Sequence, residues 1–261
     1  MAYICSSMTD SPQYAWVDDA GVTTSLMNVS EFVVLRDGVH GFADVTDERS
    51  LMSVANQSGE RFTNMVGKAR EFGFDVMIIG STHADLLTKR AKLLKMFAKP
   101  GRLSKKIGED TVVSIDCYAA RGSPEIQGGI APDATRQTVS INLVAPDPYF
   151  YGEEITVTLA SGSSTLTVNN PGTAEVTPCT IVLNADAASN MTTGQTMTAL
   201  AGQTVSGATV TVTDNGVSAV LNGTNVIGRF TFDSEFWMLA EGINNISGVS
   251  SISFRPRWKG V

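Results

Sequence analysis

Apolar and polar positions alternate with a period of two along much of the chain, the spacing that sends one row of side chains inward and the next outward on a strand. This alternation predicts strands over 31–35 and 72–79, the latter with Phe72, Phe74, Val76 and Ile78 on one face. It recurs over 111–118, through Val113, Ile115 and Cys117, and over 137–144, through Val139, Ile141 and Leu143. Between them the period lengthens and predicts a helix over 82–98. Thr82 is placed to cap its first turn, and Asp85 lies near the positive end of its dipole. Leu86, Leu87, Ala91, Leu94 and Phe97, with Leu93 beside them, form an apolar stripe that should lie on a sheet, and Lys99-Pro100-Gly101 ends the helix. The segment 37–68 has mixed charge, Gly38, Gly41, Gly59 and Gly67, and no sustained period. It reads as a long loop or a protruding hairpin, an arm suited to contact a neighbouring subunit.

The second half is almost wholly short strands, predicted over 155–159, 165–168, 179–183, 209–213, 217–221, 226–232 and 249–254. Asp214-Asn215-Gly216 and Asn222-Gly223 supply residues that tolerate the positive φ of tight hairpins, so 209–232 should be a three-strand meander. Charge also changes midway: residues 1–150 hold 18 acidic and 15 basic side chains, and residues 151–261 hold 8 and 4. The change coincides with Ala145-Pro-Asp-Pro-Tyr-Phe-Tyr-Gly152, whose prolines and glycine favour extended or turning backbone. Two domains are therefore expected, 1–150 and 151–261. The fold class is mainly β, with a β-rich α+β first domain holding one helix and an antiparallel β-sandwich or barrel second.

Composition narrows the chemistry. The net charge of -7 argues against a partner held by phosphate contacts, so nucleic acid is not expected. The basic residues from Lys89 to Lys106 are read as a solvated helix face. No apolar run approaches the ~20 residues of a membrane-crossing helix, and no secretory signal is visible at the N-terminus. Three widely spaced cysteines, Cys5, Cys117 and Cys179, suggest neither a disulfide framework nor a zinc ribbon; Cys117 and Cys179 read as small core residues. The two histidines, His40 and His83, give little material for a metal site or a Ser-His-Asp relay, and no nucleotide-binding glycine motif occurs. Adjacent carboxylates, as in Asp18-Asp19 and Glu153-Glu154, point to opposite faces of a strand, which is poor geometry for glycoside hydrolysis. No enzyme, cofactor or metal is expected. Trp237 and Trp258 are the candidate carbohydrate contacts, because exposed aromatic rings can form a sugar platform, although aromatics in small sandwiches commonly belong to the core.

Several stretches together resemble the distal tail protein family of siphoviruses, in an order that covers nearly the whole chain. Arg70-Glu-Phe-Gly-Phe-Asp-Val-Met-Ile-Ile79 is similar to the family's strand after a long belt-like segment, and 86–103 to the helix and turn that follow. The 145–152 stretch resembles its domain junction. Val168-Asn-Asn-Pro-Gly-Thr-Ala-Glu-Val-Thr-Pro-Cys-Thr-Ile181, Phe236-Trp-Met-Leu-Ala-Glu-Gly-Ile-Asn-Asn-Ile246 and Arg255-Pro-Arg-Trp258 resemble parts of its C-terminal sandwich. The resemblance implies a ring-forming N-terminal domain that assembles as a homohexamer and a galectin-like C-terminal sandwich. It implies a structural virion protein at the distal end of a long non-contractile tail, synthesised in the host cytoplasm. Its partners would be the tail-tube protein, the tail-tip hub protein and receptor-binding proteins. A carbohydrate-binding module on a structural domain, and a tail-tube protein, are the alternative readings.

Overall fold

A computed structural model describes residues 14–43, 47–53, 60–108, 111–127, 133–177, 180–213, 216–235 and 237–261. Strands dominate, as the sequence pattern requires, and the chain forms two compact units, residues 1–150 with 259–261, and residues 151–258.

The first unit contains β1 (Tyr14–Val17), β2 (Thr23–Ser25), β3 (Met27–Asn28), β4 (Phe32–His40), β5 (Asp47–Ser53), β6 (Glu60–Gly67), β7 (Arg70–Ile79), α1 (His83–Met96), β8 (Gly101–Ile107), β9 (Thr111–Ala119), β10 (Glu125–Ile126) and β11 (Arg136–Ala145). Its main sheet runs β2-β1-β8-β9-β11-β7-β4-β3. The two ends of that order are separated in sequence by Leu26 alone. The Leu26 amide donates to the Tyr14 carbonyl at 2.9 Å, and the Val34 amide donates to the Leu26 carbonyl at 3.1 Å. One short stretch thus joins both ends of the sheet order through the Leu26 backbone.

Inside this unit, cross-strand neighbours are matched apolar side chains: Val139 lies opposite Val76, Ile141 opposite Phe74 and Leu143 opposite Phe72, all fully buried. Tyr14, Phe42, Phe72, Phe74, Phe97, Trp16 and Phe150 link into a chain of ring contacts with centroids 4.4 to 6.4 Å apart. Each fully buried ring of this kind contributes roughly 1.5–3 kcal/mol by leaving water. Gly101 is required here: a Cβ at that position would come within 2.5 Å of the Trp16 ring. The helix packs through Leu86, Leu93 and Phe97, which are buried, so its inward face is rotated from the stripe read in the sequence. Leu87 and Ala91 are exposed and Leu94 is half-buried. Positions 86, 90, 93 and 97 share a face at helical spacing, and Arg90 is the half-buried polar member of that face.

The second unit contains β13 (Ile155–Thr158), β14 (Thr165–Asn170), β15 (Thr180–Leu183), β16 (Ala187–Asn190), β17 (Gln195–Thr198), β18 (Thr209–Thr213), β19 (Gly216–Leu221), β20 (Thr224–Asn225), β21 (Gly242–Ser247) and β22 (Val249–Phe254). Two further short strands, Phe150–Tyr151 and Arg257–Trp258, flank them as β12 and β23. A six-stranded sheet, β13-β22-β15-β18-β19-β20, and a four-stranded sheet, β14-β21-β16-β17, are both antiparallel. They enclose one core that includes Val168, Ile181, Met197, Val210, Trp237, Leu239, Ile246, Ile252 and Phe254, the two-layer solution that buries one face of each sheet. Thr213 pairs with Gly216, leaving a two-residue connection whose residues, 214 and 215, lie outside the described residues. Asn222 and Gly223 form the next turn with φ of 50° and 78°, the conformation that favours Asn-Gly in tight hairpins.

Two sequence expectations are corrected, and a third resolves toward one of its alternatives. Of the two forms expected for the 37–68 segment the hairpin is the one observed: β4 extends to His40, and β5 and β6 pair antiparallel as a separate two-stranded sheet. Residues 44–46 and 54–59 of it lie outside the described residues. The basic run from Lys89 to Lys106 is not one helix face, because Arg102, Lys105 and Lys106 sit on β8. The strand expected over 226–232 is instead a single 3-10 turn at Ile227–Arg229, since Gly228 and the preceding Asn222-Gly223 reversal leave no run of alternating positions.

Candidate functional site

Lys89 and Lys92 of α1, and Lys99 just beyond it, are committed to the first unit itself. Lys89 Nζ donates to the carbonyls of Ser30 and Ile79 and to Asp85 at 2.8 to 3.0 Å. Lys92 pairs with Glu31 at 2.5 Å and lies 5.5 Å from the Phe32 ring, and Lys99 pairs with Asp19 at 2.9 Å. Asp85 receives Lys89 and the Ser81 amide at 2.8 Å, and these contacts hold its carboxyl down at about 2. Thr82 accepts from the Asp85 amide at 3.2 Å, so the cap read in the sequence is present. Cations tied to carboxylates and backbone carbonyls are poorly disposed to hold a phosphate backbone.

On the outer face of β7 and β11, Ser140 donates to Asp75 at 2.5 Å, and Gln127 donates to both Ser140 and Asp75. His40, exposed at the end of β4, places Nδ1 3.2 Å from the Gly38 carbonyl. The serine hydroxyl is therefore spent on a carboxylate, and the His40 ring nitrogen Nδ1 is turned to its own strand, an arrangement unlike a Ser-His-Asp relay, in which the hydroxyl gives its proton to an imidazole. His83 contacts the Ala134 carbonyl at 3.3 Å. Among the described residues no cluster of three or more His, Cys, Asp or Glu could hold a metal ion. Cys117 is buried, and desolvation pushes its thiol up to about 12, the opposite of an activated nucleophile. Cys5 and Cys179 lie outside the described residues.

The first unit also has a groove of about 510 Å³, lined by Val17, Pro100, Arg102, Asp116, Cys117 and Tyr118 among others. Its charged groups are already engaged: Arg102 bridges both oxygens of Asp116 at 2.7 and 3.2 Å, and Asp18 accepts from the amides of Ala20 and Val22. Little remains to orient a small ligand.

In the second unit, three inward-facing asparagines that the sequence reading missed are buried. Asn170 Nδ2 donates to the carbonyls of Ala174 and Ala240 at 3.0 and 3.3 Å. Asn244 accepts from the Ala240 amide and donates to the Ala240 and Gly242 carbonyls at 2.9 to 3.1 Å. Asn190 donates to the Met238 carbonyl at 3.1 Å and to Asn244 at 3.4 Å. Together they satisfy backbone groups at Ala174, Met238, Ala240 and Gly242, which is what buried polar side chains must do to offset desolvation. Trp237 is 0 % exposed in the core, and Trp258 is 8 % exposed. Neither candidate carbohydrate contact presents a ring face to solvent. The alternation that placed Asn170 and Asn244 inward alongside Val168 and Ile246 was the available signal.

Residues 171–258 match the family described as siphovirus-type tail component, C-terminal domain. The resemblance to the siphovirus distal tail protein family is borne out. Over 95 % of the chain and 99 % of the other, the fold is similar to the Dit protein of phage SPP1, at 20 % identity and a TM-score of 0.62. That protein is described as a paradigm of the hub adsorption apparatus in phages infecting Gram-positive bacteria. A chain of the phage P2 baseplate in its activated, calcium-bound conformation aligns over 96 % of this chain and 100 % of that one, with 8 % identity and a TM-score of 0.46, too low to carry an argument. No curated protein sequence matches. The matched region includes Asn190, Asn244, Trp237 and Trp258, all buried.

Proposed function

We propose that the chain is a structural virion protein forming a hexameric ring at the distal end of a long non-contractile phage tail, where it joins the tail tube to the tail-tip hub and host-binding apparatus. The observation that carries this reading is the match of residues 171–258 to a siphovirus tail component domain. The first unit is the ring-former. The two ends of its main sheet are joined through Leu26, while the separate β5–β6 pair offers an arm to a neighbour. A closed ring needs each subunit to present two different, complementary patches, and an arm that reaches across a subunit boundary supplies one. The second unit serves as docking platform. The engaged lysines, the raised Cys117 thiol and the serine committed to Asp75 agree with a role in assembly rather than covalent chemistry.

Immunogold labelling of intact particles with antibodies to the second unit tests the placement. Label confined to the tail end distal to the capsid is expected. Label along the whole tail, as a tube subunit would give, overturns the reading.

A further inference from the structure

Residues 231–235 and 237–238 run antiparallel alongside β17, the edge strand of the four-stranded sheet. The Thr231 amide donates to the Thr198 carbonyl at 2.9 Å, the Glu235 amide to the Thr196 carbonyl at 2.9 Å, and the Met238 amide to Gln195 Oε1 at 2.9 Å. At its start is a tight turn: the Ser234 amide donates to the Thr231 carbonyl at 3.0 Å, the Thr231 and Ser234 hydroxyls meet at 3.1 Å, and Ser234 Oγ accepts from the Thr198 amide. Phe232 sits at the tip and is 103 % exposed. Phe32, Phe42, Phe72, Phe74, Phe97, Phe150, Phe230 and Phe254 are all buried. Leaving a phenylalanine fully in water forgoes roughly 1.5–3 kcal/mol, and the hydrogen bonds that fix this turn keep the ring from folding back. Leu200 and Met238, also exposed, lie toward the two ends of the same edge.

We propose that this turn is a knob that inserts Phe232 into an apolar socket, bordered by Lys or Arg, on a second and different protein of the tail. The inference rests on the reading of the chain as a tail component. Charge sets the partner's rim. Asp233 and Glu235 flank the ring, neither is in an ion pair among the described residues, and acidic side chains outnumber basic ones across residues 151–258. An aromatic side chain that enters a pocket inside a charged rim is the usual anatomy of a binding hot spot. A sugar is disfavoured, because the hydroxyls beside the ring are spent on each other and on β17, leaving few groups to converge on a glycan.

The test places a photoreactive benzoylphenylalanine at position 232 in assembled particles, with the same probe at Thr156 on the other sheet as control. Ultraviolet cross-linking at 232, and not at 156, to a different virion polypeptide is expected, with loss of that adduct when Asp233→Lys and Glu235→Lys are added. Particles that contain the chain but give no adduct at 232, an adduct only between copies of this chain, or one only with host glycan overturn the knob and leave the tail-component reading standing. Absence of the chain from particles overturns both.

Discussion

At the scale of single residues, burial decides what each polar group can do. Cys117, with its thiol pushed up to about 12 by desolvation, should resist iodoacetamide in the native protein at about pH 8 and react only on unfolding. Peptide mass spectrometry before and after denaturation reads this out, and native labelling at Cys117 would contradict the packing. Asn244 satisfies three backbone groups of the 240–242 segment. Replacing it with leucine removes those bonds, leaving the Ala240 carbonyl only its contact with Asn170, and should lower unfolding stability by about 1–3 kcal/mol, measured by urea titration. Such residues were only partly legible in the sequence. Asn170 and Asn244 occupy inward positions by alternation, and most of the backbone they serve lies within four residues of each, but alternation assigns no partner to an inward polar side chain, and the Asn170 contact to Ala240 appears only once β14 and β21 are paired. Trp237 and Trp258 look alike as aromatic residues in a β-rich half, and only three-dimensional burial separates core from platform.

At the scale of elements, local chemistry was the more readable. The Thr82 cap, the strands β7, β9 and β11, and the Asn222-Gly223 turn follow from rules that operate within a few residues. The strands β1, β8, β16 and β17 did not announce themselves, because β1, β16 and β17 are only four residues long and β8 lies behind the helix-ending signal Pro100-Gly101. Helix α1 offers a pH test. Asp85 titrates at about 2, below the ordinary carboxylate value of about 3.9, so its contribution is complete above about pH 4 and lost as pH falls toward about 2. Thermal melts of the wild type and Asp85→Asn should therefore differ near neutral pH and converge toward pH 2. A constant gap across that window would show that the ionised carboxylate is not what fixes the first turn. The β5–β6 pair belongs to no larger sheet, so replacing residues 47–67 with a short Gly-Ser link should leave each unit folded by circular dichroism while abolishing ring assembly in native mass spectrometry.

At the scale of the molecule, the two units divide the work. The first closes a sheet around an aromatic core and holds a helix against it, and the second is a two-layer antiparallel sandwich whose loops are tied down from within. The mainly β class was legible because alternation and turn residues run through the whole chain. Assembly was not legible from composition or periodicity, since a ring is a property of surfaces that meet other copies; it entered only through stretches that resemble a known family. Electron cryomicroscopy of the intact tail tip tests the central claim most directly. A six-fold ring at the distal end of the tube, into which the first unit fits with its β5–β6 arm against the adjacent subunit, is the predicted result, and a tail end whose rings cannot accommodate this fold would contradict it.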